Sequence, residues 1–557
     1  MGLALSPRFE DIFTEPFKSS AELLRTIPSF AAISAIACIS AQIDKDWEQQ
    51  DILRFALRRN PQLVFPIFKK ITSFENKIKQ HAKPFNKYFL NLLINKILKN
   101  YNPESRDLLP EEDITFLKAY FAQVNKYLDD QEIILREESQ LNEDPFNRIV
   151  WPIIAEQIQF QIRPSEPFDS VRALCLIDEL NKTGRKDYVD EFANKLKIKV
   201  TDYVSNLIGI VQHQENLTVQ GYTTPSFFIK IRPEDNQIFE GLTMDPIKVA
   251  TEKNWDSNFL AIKKYPVIKF RESQFTILNR DFLKLKLYNG FIFDIFNKTK
   301  LKKEFKSFDN FKSFIGKEVT EKRIFQSLLK TIFDSKTNIL EFSEGDGHPD
   351  CYLRVGNKII LIEFKDYMMA SNVISSNETQ MIKAEIEKKF ISNKKSKPKG
   401  ILQIINQIQF LENENFSFDN DLDRLAISDT IIYPVIIYTD YQYSIPGINN
   451  FLNAEMQKRL NTSKIKNVKP LSMINLSYLF DNMRYLFRNG IEDLLDNFYL
   501  IISVARENMK KEPSIQNWME INQPFENAIG MLSIEDNNED ALLEKFFDKL
   551  GLSTLTN

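Results

Sequence analysis

The chain has 557 residues, of which 43% are hydrophobic and 27% charged, and its formal net charge at pH 7 is -3. These values are typical of a globular protein with more than one core, and they exclude a polybasic protein, so a polyanion would have to bind through a local patch. The three cysteines and three histidines are widely scattered, which excludes a disulfide framework and a histidine-rich zinc site and favours a reducing, cytoplasmic environment.

Residues 1–214 are predicted to form a helical domain, arranged as a bundle or an array. The apolar stretch at residues 30–41 is too short to span a bilayer, and acidic residues precede it where a signal peptide would have basic ones. It therefore predicts a buried helix. Four later segments are also predicted to be helices, the last of them with Ser170 as its N-cap: residues 86–101, 113–128, 146–161 and 170–182.

Residues 215–300 are predicted to form a small mixed α/β element. Three short runs rich in β-branched and aromatic residues predict strands at 226–232, 265–270 and 274–279, and the last two are close enough to form a hairpin. A polar and basic segment follows at residues 297–310 and is interpreted as a hinge.

The last predicted domain is residues 301–557. Its elements are expected in the order helix, three strands, helix, strand, with helices continuing to the C-terminus. The first helix is expected to end near Phe333, and the last strand, within residues 429–441, is almost entirely apolar. This order predicts a mixed sheet that is buried between helices.

Acidic residues and a lysine lie at the ends of two of these strands. Residues 348–355 are expected to pair with 358–364 in a hairpin, which would place Asp350 near Glu363 and leave Lys365 on the same face as Glu363. Glu363 and Lys365 alone would be an ordinary ion pair. Two carboxylates side by side repel each other unless a proton or a cation lies between them, and Mg²⁺ prefers carboxylate oxygens.

The sequence Pro349-Asp350, followed by Glu363-Phe364-Lys365, resembles the motif of the PD-(D/E)XK nuclease superfamily. The resemblance covers about residues 310–450 and implies a restriction-endonuclease-like fold. It implies that Asp350 and Glu363 bind Mg²⁺ or Mn²⁺, and that Lys365 orients or deprotonates a water molecule or stabilises the charge of the transition state.

Two further residues follow from the same resemblance. An acidic residue on the preceding helix often completes the metal site, and Glu321 is favoured over Glu318 for this position. A glutamine on the following helix often orients the substrate or water, and Gln403 is the candidate, with Gln407 one turn further along as its rival. For all four, the alternative is a polar position on an amphipathic helix.

A basic segment at residues 388–400 contains six lysines and no acidic residue. It is the clearest candidate for contacts with a phosphate backbone. The alternative is a charged surface loop without a ligand. The lysines proposed for nucleic-acid binding are Lys389, Lys394, Lys395, Lys397 and Lys399.

Together these features predict a multidomain α plus α/β protein with a restriction-endonuclease-like C-terminal domain. The predicted function is a Mg²⁺-dependent nuclease, more specifically a DNA endonuclease. Its N-terminal region would regulate or target it through a protein partner or an activating ligand, as in a bacterial antiviral defence effector. The competing hypothesis is a catalytically silent scaffold that keeps the nuclease fold as a partner-binding module.

Overall fold

Contacts within the chain divide it into two compact units. The structure is a computed structural model, in which unit 1 is Met1–Glu143 with Asp190–Ile292, and unit 2 is Asp144–Val189 with Phe293–Asn557. This division differs from the three predicted segments, because residues 144–189 pack with the C-terminal part of the chain. The described residues are 6–79, 81–141, 147–158, 164–213, 215–219, 222–226, 228–231, 236–249, 251–252, 255–256, 259–271, 274–335, 337–343, 348–376, 378–392, 397–413, 419, 422, 427–462, 465–532 and 539–552.

Most of the described chain is helical. Helices α1–α11 are Phe9–Ile12, Ser20–Leu24, Ser29–Asp44, Gln49–Ala56, Val64–Ile78, Lys87–Lys99, Pro110–Leu141, Asn147–Gln157, Glu166–Lys182, Lys186–Leu196 and Val200–Gln212. Helices α12–α19 are Asn236–Leu242, Pro246–Val249, Leu260–Lys264, Arg280–Lys284, Asn289–Lys298, Leu301–Phe305, Phe308–Phe314 and Gln326–Phe333. Helices α20–α29 are Ser371–Ser376, Thr379–Phe390, Ile401–Glu412, Ile448–Arg459, Leu476–Asp481, Met483–Asn489, Glu492–Lys511, Ile515–Asn522, Phe525–Ile529 and Glu539–Leu550.

Short turns of 3₁₀ helix and one π-helical segment accompany these helices. The 3₁₀ turns include Pro61–Leu63, Leu285–Leu287, Ile427–Asp429 and Tyr441–Tyr443, and the π-helical segment Ile315–Phe325 joins α18 to α19. Among the described residues, none of the helices is both long and apolar enough to cross a membrane. Helix α9 has Ser165 as its N-cap, because the Phe168 N–H donates to Ser165 Oγ, so the prediction of Ser170 was wrong.

The described strands form three sheets. Strands β1–β11 are Glu215–Val219, Tyr222–Ser226, Phe228–Lys230, Val267–Arg271, Gln274–Ile277, Asn338–Glu341, Cys351–Val355, Lys358–Lys365, Ile431–Tyr438, Asn467–Val468 and Ser472–Asn475.

Unit 1 contains the two smaller sheets and the predicted buried helix. Helix α3 buries most of its side chains, and Gln42 near its end donates through Nε2 to Thr224 Oγ1 at 2.6 Å. Strands β4 and β5 form the predicted hairpin and lie in a three-stranded antiparallel sheet with β3. The β1–β2 hairpin was not predicted from the sequence.

Unit 2 is built around a sheet that is mixed, as predicted, and that has six strands rather than the four expected from the sequence. Its order is β10-β9-β8-β7-β6, with β11 also paired to β9; β6, β7 and β8 are antiparallel, whereas β8 and β9 are parallel. After their first residues, β8 and β9 are buried throughout, which explains why both are apolar along almost their whole length. These strands are therefore the centre of the sheet.

The edge of this sheet next to β9 is interrupted at a proline. The Ile432 carbonyl accepts a hydrogen bond from the Lys469 N–H at 2.8 Å, and pairing resumes only at Ser472 opposite Val435. Pro434 lies between these points and has no N–H to donate to a neighbouring strand. The interruption divides the edge into β10 and β11, which the sequence pattern did not predict.

Helices cover both faces of the central strands in unit 2. Helix α22 packs against β8 on one face, where Ile404, Ile408 and Leu361 belong to the same apolar core. On the other face, Phe325 at the end of the π-helical segment stacks on Phe364 with ring centroids 4.6 Å apart. Glu363 and Lys365 alternate with Phe364 along β8 and so point toward the α22 side.

Candidate active site

The hairpin formed by β7 and β8 sets the positions of three polar side chains. A two-residue turn at Gly356 and Asn357 joins the strands, and Gly356 has a φ of +62°, which glycine adopts without strain. Cys351 pairs with Ile362, so Asp350 lies opposite Glu363 just beyond the ladder. The Phe364 N–H donates to Asp350 Oδ2 at 2.7 Å, which fixes this carboxylate at the open end of the hairpin.

Lys365 lies between the two carboxylates. Its Nζ is 2.7 Å from Glu363 Oε2 and 3.7 Å from Asp350 Oδ2. The Glu363 side chain is fully buried and that of Lys365 is 7% exposed, whereas that of Asp350 is 25% exposed. Solvent therefore reaches this cluster from the side of Asp350.

Burial and the attraction between Glu363 and Lys365 shift the pKa of each of these two groups in opposite directions. Burial raises the pKa of Glu363 above its ordinary range, Lys365 opposes the rise and Asp350 adds to it. Burial alone would lower the pKa of Lys365, but Glu363 and Asp350 outweigh it and hold that pKa above its usual value. The lysine therefore carries its charge in a site that excludes most of the solvent.

Gln407, rather than Gln403, is the glutamine that contacts this cluster. Its Nε2 donates to Glu363 Oε1 and also to the His348 carbonyl at 3.4 Å. The residue is 1% exposed, and its Oε1 has no hydrogen-bond partner among the described residues. Gln403 lies in the first turn of α22, where its Oε1 accepts a hydrogen bond from the Gly400 N–H at 2.9 Å. Gln403 therefore caps its own helix.

The predicted acid on the preceding helix does not join the two carboxylates. Glu321 lies in the π-helical segment, which packs through Phe325 on the face of β8 opposite to Glu363. Glu318 pairs instead with Lys322, at 3.2 Å along the same segment. Within the described ranges, no three His, Cys, Asp or Glu side chains are close enough together to hold a metal ion. The structure thus brings together Asp350 and Glu363 but not Glu321.

Asp350 and Glu363 are the residues that could hold a hard divalent cation. Mg²⁺ commonly binds to one or two carboxylates and keeps several water molecules. Asp350 and Glu363 supply the two carboxylates, and the buried Oε1 of Gln407 is an acceptor that a cation or its water would satisfy. A cation bound to Glu363 would compete with Lys365 for Oε2.

The basic segment begins beside the end of β8. Lys389 Nζ lies 4.8 Å from the ring centroid of Tyr367, two residues after Lys365, and 3.6 Å from Glu385. The Lys399 N–H donates to the Ile391 carbonyl at 2.8 Å. Lys397 is exposed, whereas Lys394 and Lys395 lie outside the described residues.

A buried group of charges directly follows Lys365 and was not predicted. Asp366 pairs with Lys312 and lies 3.6 Å from Arg172 Nη2, and Thr439 Oγ1 donates to it. Burial alone would raise the pKa of Asp366, but Lys312 and Arg172 lower it to about 2. Sequence periodicity could not predict this group, because the partners of Asp366 are up to 194 positions away along the chain.

Comparisons of the chain with protein-family models, with curated proteins and with solved structures find no match. The resemblance to the PD-(D/E)XK superfamily therefore rests on the sequence motif alone.

Proposed function

We propose that unit 2 is a Mg²⁺-dependent phosphodiesterase of the PD-(D/E)XK type with a restriction-endonuclease-like fold, and that its substrate is nucleic acid, specifically DNA. The observation that carries this proposal is the position of Lys365 Nζ, 2.7 Å from Glu363 and 3.7 Å from Asp350, at the solvent-facing end of a buried hairpin. Two carboxylates and a charged lysine at one strand end match what metal-assisted phosphodiester hydrolysis requires.

Each residue has a distinct task in this proposal. A bound Mg²⁺ would polarise the scissile phosphate and lower the pKa of a coordinated water molecule. Asp350 and Glu363 would hold it, and the Phe364 N–H and Gln407 Nε2 keep these carboxylates in place. Lys365, freed from Glu363 by the cation, would stabilise negative charge on the phosphate as a point charge.

The direct test is to incubate the full chain with plasmid, linear DNA, single-stranded DNA and RNA in Mg²⁺, Mn²⁺ or EDTA. Cleavage of DNA that requires a divalent cation and stops in EDTA is the expected result. Cleavage that continues in EDTA would contradict a metal-dependent site. Cleavage of RNA alone would show that the substrate is RNA rather than DNA.

One observation favours a second candidate, a catalytically silent nuclease-fold module that binds a partner. Both carboxylate oxygens of Glu363 already accept from protein donors, Oε2 from Lys365 and Oε1 from Gln407. Titration with Mn²⁺ by calorimetry separates the two candidates. Binding that Asp350→Asn abolishes supports the nuclease, whereas no binding and no cleavage in either protein would favour the module.

For the nuclease, we propose that the N-terminal region regulates or targets the activity, through a protein partner or an activating ligand. A role as an antiviral defence effector rests on the superfamily resemblance alone.

Gln407→Ala is expected to reduce the cleavage rate by about tenfold to a hundredfold, because it frees Glu363 Oε1 from the donor that orients it. Gln403→Ala, on the same helix, is the matched control and should change the rate by less than about twofold, since that side chain caps Gly400. Initial rates under saturating Mg²⁺ measure both. Equal losses in the two variants would show that Gln407 has no special part in the site.

Replacement of Lys397 and Lys399 by Gln is expected to weaken DNA binding and to flatten its salt dependence. Each lost phosphate contact should reduce the slope of log Kd against log salt by about 0.9. Fluorescence anisotropy with a labelled duplex at several salt concentrations provides the measurement. Lys458→Gln, which changes an exposed lysine outside the basic segment, is the control. An unchanged slope in the double variant would show that the basic segment does not contact DNA.

A further inference from the structure

A second concave site lies in unit 2, apart from the carboxylate and lysine cluster. It is a cavity of about 610 Å³ formed by α23, α26 and α27, and none of the residues Asp350, Glu363, Lys365 or Gln407 lines it. This volume falls in the range of small-molecule sites, about 300–1,000 Å³. The size alone would suit many ligands, so the chemistry of the lining has to define the class.

The floor of the cavity is apolar and aromatic. Phe498, Met509 and Trp518 line it, and all three are buried. Trp518 is 3% exposed, and its indole Nε1–H has no acceptor among the described residues. A buried tryptophan N–H normally donates to an acceptor, so the floor can accommodate one that a ligand supplies.

A chain of hydrogen bonds runs from the rim of the cavity to this floor. Arg506 Nη2 donates to Asn450 Oδ1 at 2.8 Å, Asn450 Nδ2 to Asn522 Oδ1 at 3.1 Å, and Asn522 Nδ2 to the Trp518 carbonyl at 2.9 Å. Asn453 Oδ1 likewise accepts from the Leu471 N–H at 2.8 Å. The side-chain amide acceptors of the wall are thus already engaged, and the wall is held in place before any ligand binds.

The charge at the rim is positive. Arg506 is exposed and, among the described residues, forms no ion pair with a carboxylate, whereas Glu507 beside it is neutralised by Lys510 at 2.7 Å. The guanidinium retains donors beyond the one used on Asn450. A ligand that matches this lining therefore brings acceptors and a negative charge together with apolar surface.

We propose that this cavity binds a small molecule with a planar apolar body and one anionic group, a carboxylate or a phosphate. Arg506 binds the anion at the rim, Phe498 and Met509 contact the body, and Trp518 Nε1–H donates to an acceptor on it. The site is independent of the proposed nuclease activity, and either proposal can fail without the other.

Calorimetric titration of the full chain with two anionic probes, 1-naphthoate and AMP, tests this proposal and distinguishes an aromatic carboxylate from a nucleotide. At least one probe is expected to bind with a Kd of about 1 mM or tighter, as expected for ligands of this size. Its neutral counterpart, 1-naphthalenemethanol or adenosine, should bind at least about tenfold more weakly, because it lacks the charge that Arg506 recognises.

Two variants identify the cavity as the place of binding. Arg506→Gln should weaken binding of the anion by about tenfold, and Trp518→Phe should remove the indole donor and weaken it as well. Lys511→Gln changes an exposed cation on the same helix outside the cavity lining and should leave the affinity unchanged. Absence of binding by both anions at millimolar concentration, equal affinity for the neutral probes, or wild-type affinity in Arg506→Gln would each overturn the proposal.

Discussion

Asp350→Asn is expected to lower the rate of Mg²⁺-dependent cleavage by at least about a thousandfold while the fold stays intact. The substitution removes the charge of the solvent-facing carboxylate, yet the amide oxygen still accepts the hydrogen bond from the Phe364 N–H. The partly exposed position makes this variant preferable to Lys365→Ala, which would leave the fully buried Glu363 without its ion-pair partner and would destabilise the protein.

Initial rates on plasmid DNA, together with thermal unfolding curves, measure this effect. Glu318→Gln is the matched control: it also removes one carboxylate charge, but Glu318 pairs with Lys322 on the helix that covers the opposite face of β8. The control should keep the wild-type rate. Wild-type cleavage by Asp350→Asn, with wild-type stability, would remove Asp350 from the catalytic site.

The core of the candidate site could be predicted because it depends on neighbouring residues in one hairpin. The glycine turn at Gly356 and the alternation along two adjacent strands determine which side chains face each other, so Asp350 could be placed opposite Glu363 from spacing alone. The same local logic predicted the mixed sheet, because a strand buried on both faces has a recognisable apolar run.

Glu321 and Gln403 were assigned by analogy, and the structure shows why neither reaches the cluster. The position of Glu321 depends on which face of β8 its helix covers. The stacking of Phe325 on Phe364 places that helix on the face opposite to Glu363. The role of Gln403 depends on the residue at which α22 begins. Because the helix starts at Ile401, Gln403 falls in the first turn and is used as a cap, while Gln407 faces the strand.

The assignment of chain segments to the two units depends on contacts that sequence periodicity does not encode. Residues 144–189 have an ordinary helical pattern, but Tyr441 donates to Asp169 across 272 positions at 3.1 Å, and Arg323 pairs with Asp178. Strands β10 and β11 are also too short to give a periodic signal. Hydrophobic periodicity is evaluated over the length of a single helix or strand, so it cannot predict either feature.

Asp366→Asn is expected to destabilise unit 2 by about 3 kcal/mol, because it removes the negative charge that holds two buried cations. The side chains of Asp366, Lys312 and Arg172 are 4%, 11% and 3% exposed, so little solvent can reach the positive charges that the substitution leaves unpaired. Arg172 keeps a second partner in Asp169, at 3.3 Å, whereas Lys312 would lose the carboxylate with which it forms its ion pair.

The size of this loss should depend on pH in a defined direction. The pKa of Asp366 is about 2 in the folded protein, below its ordinary value of 3.8, so its stabilisation is complete above about pH 4 and disappears as the pH falls toward 2. The difference between wild type and Asp366→Asn should therefore shrink by about 2 kcal/mol between pH 7 and pH 2. Urea unfolding curves from pH 7 to pH 2 measure it, with Asp309→Asn, an exposed position on α18, as the control. A difference that stays constant with pH would show that Lys312 and Arg172 do not hold the carboxylate of Asp366 in its charged form.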